Sequence, residues 1–364
     1  MAIADFLSLS QVLNLAYFAS FFLLFFYGQR LQMTMILVGV KKNMTKLDRY
    51  RVSARSRVLS SVSRFNQNKA EVEGRVDRVT GSFAITPVSL DPSGLVGKLE
   101  HVLDTYDDHL RKEVQMLAPS ATEAQVMTLS NQLEVSIGLD QMFRVVRHYY
   151  LLARKQGGLF ALMQLQIALP TIMEEAEAYS SAIDAFAQGK IIGDGMGPMI
   201  ASRIAAGTTA SEPVKDTLVN EVLLKDRTLL VVRAKGPGGN VGKPGTLVEK
   251  LIQESGPIKL VLTVDAALKL EGENSGDIAE GIGAAIGGPG TEKYHIEVAA
   301  VKQGIPLVAV VVKMSSKEAI STITPQLEKA ADEAKIRVES VVLARTKPGD
   351  RVIVAGIGNT IGVA

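Results

Sequence analysis

The sequence predicts an N-terminal single transmembrane helix, an α-helical middle region and a C-terminal α/β domain whose mostly parallel sheet is covered by helices on both faces. Three observations predict this order. No charged residue occurs between Asp5 and Arg30. Apolar residues then recur every three or four positions, and after Gly189 β-branched runs alternate with glycine-rich loops. We expect an anchor with a juxtamembrane segment at residues 1–43, a helical domain at 44–188 and an α/β domain at 189–364.

Composition excludes several classes of protein. Of 364 residues, 47% are hydrophobic and 21% are charged, so the chain can bury a core and is not disordered. The net charge of +2 gives no general reason to expect nucleic acid as a partner. Cysteine is absent, which rules out disulfides, thiolate nucleophiles and Cys-ligated zinc or iron–sulfur clusters.

The uncharged N-terminal segment predicts the membrane anchor. As a helix, residues 6–29 would extend about 36 Å, enough to cross a hydrocarbon core of about 30 Å. A cleaved signal peptide, a buried core helix and a helix lying in the membrane plane fit the segment less well. Basic residues follow it, so we expect a cell-membrane location with the N-terminus outside and the later domains cytoplasmic. Membrane lipids would contact residues 6–29.

A second apolar run, Leu31 to Val40, is too short to span a membrane again. It either continues the first helix or packs one copy of the protein on another. We therefore expect a possible homo-oligomer and no nucleic-acid partner.

The helical region contains one cluster of residues of the types that commonly bind metal ions. Asp104, Asp107, Asp108 and His109 lie at helical spacing, but no second cluster with ligand spacing accompanies them. We interpret them as a solvated helix face.

The α/β domain shows apolar runs typical of strands buried on both faces. Predicted strands are Thr217–Leu224, Thr228–Ala234, Leu260–Asp265, Leu307–Lys313, Val338–Leu343 and Val352–Gly356. Predicted helices are Met199–Ala206, Thr246–Glu254, Ile278–Ile286, Tyr294–Gln303 and Thr324–Lys335. Ligands of such folds bind at the carboxyl ends of the strands.

Two glycine-rich loops are similar to nucleotide-binding motifs, and both depart from the patterns. In the segment from Gly236, Pro237 and Pro244 replace a glycine and the Mg²⁺-binding Ser or Thr of a P-loop. In the segment from Gly356, Ile361 replaces the third glycine of a dinucleotide loop. The first loop could still hold an anion on its N–H groups. Our candidates for positioning a substrate are Gly236, Gly238, Gly239, Lys243 and Asn359.

Two aspartates are the candidate catalytic residues. Asp265 ends an apolar strand, and Asp194 lies in a glycine-rich loop before a helix. If their elements are neighbours in the sheet, the two carboxyl groups share a proton or bind a cation, here a possible divalent metal ion held by Asp194 and Asp265. The alternative is structural: Asp194 caps the following helix and Asp265 caps a turn.

The whole chain resembles an archaeal family of membrane-anchored proteins of unknown function. The residues that carry this resemblance are Arg147 to Leu151, Leu169 to Tyr179 and Ile192 to Pro198. The resemblance implies the anchor and no activity.

The C-terminal domain resembles the fold of hydrogenase-maturation endopeptidases and the spore germination protease, in circularly permuted order. The matching segments are Gly356 to Asn359, Asp194 to Pro198, Val264 to Leu268, Gly287 to Gly290 and Gly304 to Val310. The resemblance implies that the two acids of those peptidases correspond to Asp194 and Asp265. Their metal-binding histidine has no assured counterpart, since His295 is merely the one histidine of this domain.

These observations predict a membrane-tethered hydrolase, peptidase-like, that uses the Asp194–Asp265 pair. The alternative is a non-catalytic, membrane-bound oligomeric scaffold, or a sensor that binds a small ligand or anion.

Overall fold

A computed structural model describes residues 9–82, 94–156, 158–287 and 290–363 of the chain. Within these ranges, a helical half is followed by an α/β domain. The helices of the first half are α1 (Leu9–Val62), α2 (Lys69–Thr80), α3 (Leu95–Leu117), α4 (Glu123–Gln156) and α5 (Leu159–Ala187).

Helix α1 runs without a break for 54 residues, or about 80 Å. It joins the predicted anchor to the first helix of the predicted middle region. Its second part packs against α4 and α5, where Leu47 is fully buried. The first part of α1 is exposed to solvent, and Leu15, for example, is 69% exposed.

Several basic residues of α1 bind acids of the neighbouring helices. Arg51 contacts Asp140 of α4 at 3.3 Å, and Arg55 contacts Asp77 of α2 at 2.6 Å. These pairs join part of the basic stretch that follows Arg30 to the neighbouring helices.

The predicted transmembrane helix is wrong. In the part of the chain that the structure describes, no helix contains a stretch long and apolar enough to cross a membrane. Polar Asn14 and Ser20 interrupt the apolar run, and α1 continues past Arg30 into a basic stretch that packs on other helices. The finding also contradicts the expected single-pass location with the N-terminus outside. Residues 6–8 of the predicted span lie outside the described residues.

The α/β domain contains one seven-stranded sheet in the order β1-β2-β3-β7-β4-β6-β5. Its strands are β1 (Ala210–Val214), β2 (Thr217–Leu224), β3 (Arg227–Ala234), β4 (Ile258–Leu268), β5 (Ile278–Ile282), β6 (Leu307–Met314) and β7 (Arg351–Gly356). The four central strands are parallel, whereas β1, β2 and β5 pair antiparallel at the two edges. The sheet is therefore mixed, which corrects the expectation of a mostly parallel one.

Helices cover both faces of this sheet, as the doubly apolar central strands require. They are α6 (Met196–Ile204), α7 (Pro244–Glu254), α8 (Thr291–Gln303) and α10 (Pro325–Arg345), whereas the short helix α9 (Ser316–Ile320) packs on α5. On one face, Ile200 of α6 and Val338 of α10 join a buried cluster with Val264. On the other, Leu247 of α7 and Ile296 of α8 pack with Val261.

In two segments of the α/β domain, the secondary structure differs from the prediction: one predicted strand is helical, and one predicted helix contains a strand. Residues 338–343 belong to helix α10, because Val338, Val341 and Val342 form one buried stripe at helical spacing. The predicted helix Ile278–Ile286 contains strand β5 instead. Ile282 is 93% exposed, so this segment gains its order from backbone pairing with β6.

The last strand of the chain occupies the centre of the sheet. After β6, the chain passes through α9 and α10 and returns as β7 between β3 and β4. There Ile353 lies in register with Leu230 on one side and Val261 on the other. The residues after β7 consequently emerge at the carboxyl ends of β3 and β4.

Candidate active site

The C-terminal segment fits closely against the loop that carries Asp194. Beyond β7, the N–H of Ile357 donates to the carbonyl of Val264 at 2.8 Å. A Cβ at Gly197 would overlap the carbonyl oxygens of both residues, and a Cβ at Gly358 would overlap the carbonyl oxygen of Asp194. Gly358 also has a φ of +132°. Glycine at these positions therefore permits the close approach of the two segments.

Asp194 lies in a short 3₁₀ turn (Gly193–Gly195) that leads directly into α6. Its Oδ2 accepts the backbone N–H of Asn359 at 2.9 Å. The residue that caps α6 is Gly195, and no side chain caps that helix end. Asp194 therefore does not cap α6. Burial raises the pKa of Asp194, and the Asn359 N–H opposes that shift.

Asp265 lies near the carboxyl end of β4 and is 5% exposed. Its Oδ1 accepts the N–H of Ala266 at 2.7 Å, and its Oδ2 accepts the N–H of Gly287 at 3.3 Å. Burial and then the negative charge of Asp194 raise the pKa of Asp265 to about 8, although both N–H groups act against the shift. At neutral pH the pair therefore holds a proton, as two neighbouring carboxyl groups do in low-dielectric surroundings.

No larger set of ligands surrounds the two aspartates. Among the described residues, no group of three or more His, Asp or Glu side chains could hold a metal ion, as a zinc site would require, whereas Mg²⁺ is commonly held by one or two carboxylates and water. His295 is engaged elsewhere: its Nδ1 lies 2.8 Å from Glu249 and its Nε2 lies 3.2 Å from Glu100. A divalent metal ion at Asp194 and Asp265 stays a prediction.

Three predicted substrate-binding glycines make close packing possible. A Cβ on Gly236 would overlap the carbonyl oxygen of Val363 in the C-terminal segment. A Cβ on Gly238 would lie 2.8 Å from Met127 of α4, and one on Gly239 would lie 2.5 Å from Asn131. The glycine-rich loop is consequently held between the C-terminal segment and the helical half.

Three groups at the end of this loop that could hold an anion are already engaged. At the start of α7, the N–H groups of Gly245 and Thr246 donate to Glu292 at 2.6 and 3.2 Å. Lys243 contacts Asp104 at 2.5 Å. Carboxylates of the protein thus take the place that a bound anion would have.

Asn359 connects the aspartate pair to the helical half. Besides its N–H bond to Asp194, its side-chain Nδ2 donates to Asn131 Oδ1 of α4 at 3.1 Å. Its own Oδ1 accepts the N–H of Ile361 at 2.9 Å, which fixes the side-chain orientation.

A cavity of about 430 Å³ lies between α3, α4 and the glycine-rich loop. Asn359, Gly239 and Lys243 line it, and the two aspartates Asp194 and Asp265 do not. Asp104, Asp107 and Asp108 line it too, and Asp107 and Asp108 remain exposed to solvent. Sequence analysis missed Glu134 of α4, which shares this cavity. The wall of this cavity is formed by segments that are distant in the sequence, so no local motif predicts that Glu134 lies there.

Comparison with known proteins assigns the chain to a family but to no activity. Residues 192–364 match the "Domain of unknown function (DUF1512) C-terminal". Residues 14–189 match the "Protein of unknown function (DUF1512) N-terminal domain". Among curated proteins and among solved structures, none matches the chain significantly. Because the two family models together cover nearly all of the sequence, the chain belongs to the DUF1512 family.

Proposed function

We propose that the α/β domain is a hydrolase of amide bonds in which Asp194 and Asp265 act as a general acid–base pair. The observation that carries the proposal is that the turn holding Asp194 packs against β4, whose carboxyl end holds Asp265, and that the charge of Asp194 helps raise the pKa of Asp265. The resemblance of the surrounding segments to peptidases of the maturation and germination families supports the choice of substrate class.

The chemistry follows from the two protonation states. Asp194, the more exposed of the two, takes a proton from a water molecule whose oxygen attacks the amide carbonyl carbon. Protonated Asp265 donates its proton to the carbonyl oxygen. When the tetrahedral intermediate collapses, the C–N bond breaks, Asp194 passes its proton to the leaving nitrogen, and Asp265 recovers its proton from the hydroxyl group. The products are a carboxylic acid and an amine.

Asn359 is a positioning residue in this proposal. Its N–H keeps one oxygen of Asp194 occupied, which stabilises the ionised form and leaves the other oxygen to receive the proton of water. Its side chain ties that arrangement to α4.

Electrostatic coupling of the pair can be measured by NMR of protein labelled with ¹³C at the aspartate carboxyl groups. The Asp265 signal, assigned from an Asp265→Asn variant, is expected to titrate with a pKa of about 8. In Asp194→Asn that pKa falls, because the neighbouring charge is gone, yet stays above the ordinary 3.8 since burial remains.

The control for this titration is Asp332→Asn, which removes an exposed carboxylate that pairs with Arg203 on the surface. It should leave the Asp265 pKa unchanged. A pKa of Asp265 that does not move in Asp194→Asn would contradict the pairing of the two carboxyl groups.

Hydrolysis can be tested on a mixture of peptides by counting new amino groups with fluorescamine. The wild-type protein is expected to release them, and Asp194→Asn or Asp265→Asn should lower the rate at least about 100-fold, the usual scale of acid–base catalysis. Activity should fall as the pH rises through about 8, because Asp265 must be protonated to donate.

Asp332→Asn again serves as the matched control and should retain the wild-type rate. Thermal unfolding of each variant shows whether a lost rate comes from a lost fold. Folded Asp194→Asn and Asp265→Asn proteins that match the wild type, or a wild-type protein that releases no amino groups, would refute the hydrolase.

A second candidate function is that of an oligomeric scaffold, favoured by the exposed apolar surface of α1. Leu31, Met35 and Val38 follow at helical spacing and are 62%, 61% and 65% exposed. Such a contiguous apolar surface is typical of an interaction site. A second copy of the chain could cover it by helix–helix packing.

If the chain is such a scaffold, size-exclusion chromatography with light scattering should give a mass above that of one chain. This mass should depend on protein concentration. Changing Leu31, Met35 and Val38 together to Ser should return the mass to one chain, because the apolar contact is removed. The matched control changes three exposed residues of the α/β domain, Leu223, Ile282 and Ile336, to Ser. A wild-type protein of single-chain mass would eliminate this candidate.

A further inference from the structure

Helix α3 is held in different ways along its length. Its buried apolar residues, Leu110, Val114 and Leu117, all lie in its second half, where they join the core of the helical half. Before Leu110, the described part of α3 contains no fully buried side chain. The first half of α3 therefore contributes little to the hydrophobic core.

Along that first half, one face of α3 carries acids that contact bases of the α/β domain. Glu100, Asp104 and Asp108 follow one another at a spacing of four residues, so they lie along one face of the helix. Their partners, in the same order, are His295 at 3.2 Å, Lys243 at 2.5 Å and Lys215 at 3.2 Å. Lysine keeps its charge throughout the neutral pH range, whereas histidine gains or loses its charge there. His295 is consequently the base of this row that responds to pH.

His295 lies between two carboxylates that belong to different halves of the protein. Its Nδ1 lies 2.8 Å from Glu249 of α7, in the same domain, and its Nε2 lies 3.2 Å from Glu100 of α3. A neutral imidazole has one N–H group and one lone pair, so it can donate to only one of these acids. Both contacts are favourable only when both ring nitrogens carry a proton.

The charged groups around His295 favour its protonated form. Partial burial alone would lower the pKa of His295, but its hydrogen bonds to Glu100 and Glu249 and the charges of these acids outweigh burial and raise that pKa above the ordinary 6.5. Glu292, in the first turn of α8, adds a further negative charge near the imidazole. The nearby cation is Lys243, which lies 3.8 Å from Glu100 and so shares that acid with His295.

The contact with α3 is the one that a neutral His295 gives up. Glu100 has the cation of Lys243 beside it, whereas Glu249 accepts from the neutral amide of Gln253 at 3.5 Å. Glu249 therefore depends more on the imidazole and retains its N–H at Nδ1. The lone pair of Nε2 then faces the carboxylate of Glu100, and this contact between the two halves becomes repulsive.

We propose that His295 is a pH-dependent latch that holds the first half of α3 on the α/β domain while both of its ring nitrogens are protonated. When the imidazole loses a proton, the start of α3 loosens, while the ion pairs of Asp104, Asp108 and Arg111 still hold the rest. Because α3 forms one wall of the cavity of about 430 Å³, the cavity becomes more accessible.

The direction of the pH effect follows from the raised pKa of His295. The latch contributes its full stabilisation below the ordinary histidine value of 6.5 and loses it as the pH rises through the pKa of His295 in the folded protein. The latch concerns the packing of the two halves, so the inference does not rest on hydrolysis.

The proton on His295 can be followed by NMR of the full chain labelled with ¹⁵N at histidine, from about pH 5 to about pH 9. Its ring signals, assigned from His295→Gln, should titrate with a pKa above 6.5 and show the Nδ1–H tautomer once the proton is lost. Glu100→Gln should lower this pKa, because one of the two acids is removed. A pKa of His295 at or below 6.5, or an Nε2–H tautomer at high pH, would contradict the latch.

Hydrogen exchange measures the loosening of α3 itself. In the wild-type protein, the amide protection factors of residues 101–108 should fall about two- to fivefold as the pH rises through the pKa of His295, which is the scale of one partly exposed ion pair. Residues 112–117, in the buried part of α3, serve as the internal reference. In His295→Gln, residues 101–108 should show the lower protection at every pH, because glutamine carries no charge.

The matched control is His148→Gln, which removes an exposed histidine of α4 and should keep the wild-type pH dependence of exchange. The proposal is overturned if protection of residues 101–108 does not change with pH in the wild type. It is equally overturned if folded His295→Gln shows the same pH dependence as the wild type. Should His295→Gln not fold, the wild-type titration and Glu100→Gln still decide the question.

Discussion

The backbone hydrogen bond from Asn359 to Asp194 ties the end of the chain to the start of the α/β domain, and the candidate site depends on it. It exists because β7, the last strand, lies between β3 and β4 in the middle of the sheet. The segment after β7 then emerges beside the loop that begins the domain. Gly197 and Gly358 let these segments touch, since any side chain there would overlap backbone oxygens.

This closeness determines the electrostatics of the two aspartates. Each carboxyl group leaves bulk water, which costs free energy in the ionised form, and each would repel the other. Three backbone N–H groups offset part of that cost, one on Asp194 and two on Asp265. The balance leaves a proton on the pair at neutral pH, and a buried acid next to a base is the arrangement that the proposed hydrolysis uses.

Local sequence patterns account for part of this structure. An acidic residue at a strand end and another in a glycine-rich loop indicated that Asp194 and Asp265 could meet, and their catalytic role stays a prediction. The patterns predict the wrong secondary structure where tertiary packing determines it. The segment Val338–Leu343 is rich in β-branched residues, yet its apolar residues are spaced as in a helix, and it belongs to α10. The N-terminal apolar run predicts a membrane span, but polar residues dilute it in a helix that continues into the protein. Asp107 and Glu134 face one cavity from different helices, which no local pattern encodes.

The most direct test of the pairing is a crystal structure at a resolution that locates the carboxyl groups of Asp194 and Asp265 and their protons. A separation below about 6 Å, with one proton on the pair and the Asn359 N–H on Asp194, agrees with the account. A separation beyond about 10 Å, or a C-terminal segment that lies away from the Asp194 loop, would contradict it, because one water molecule could not then contact both acids.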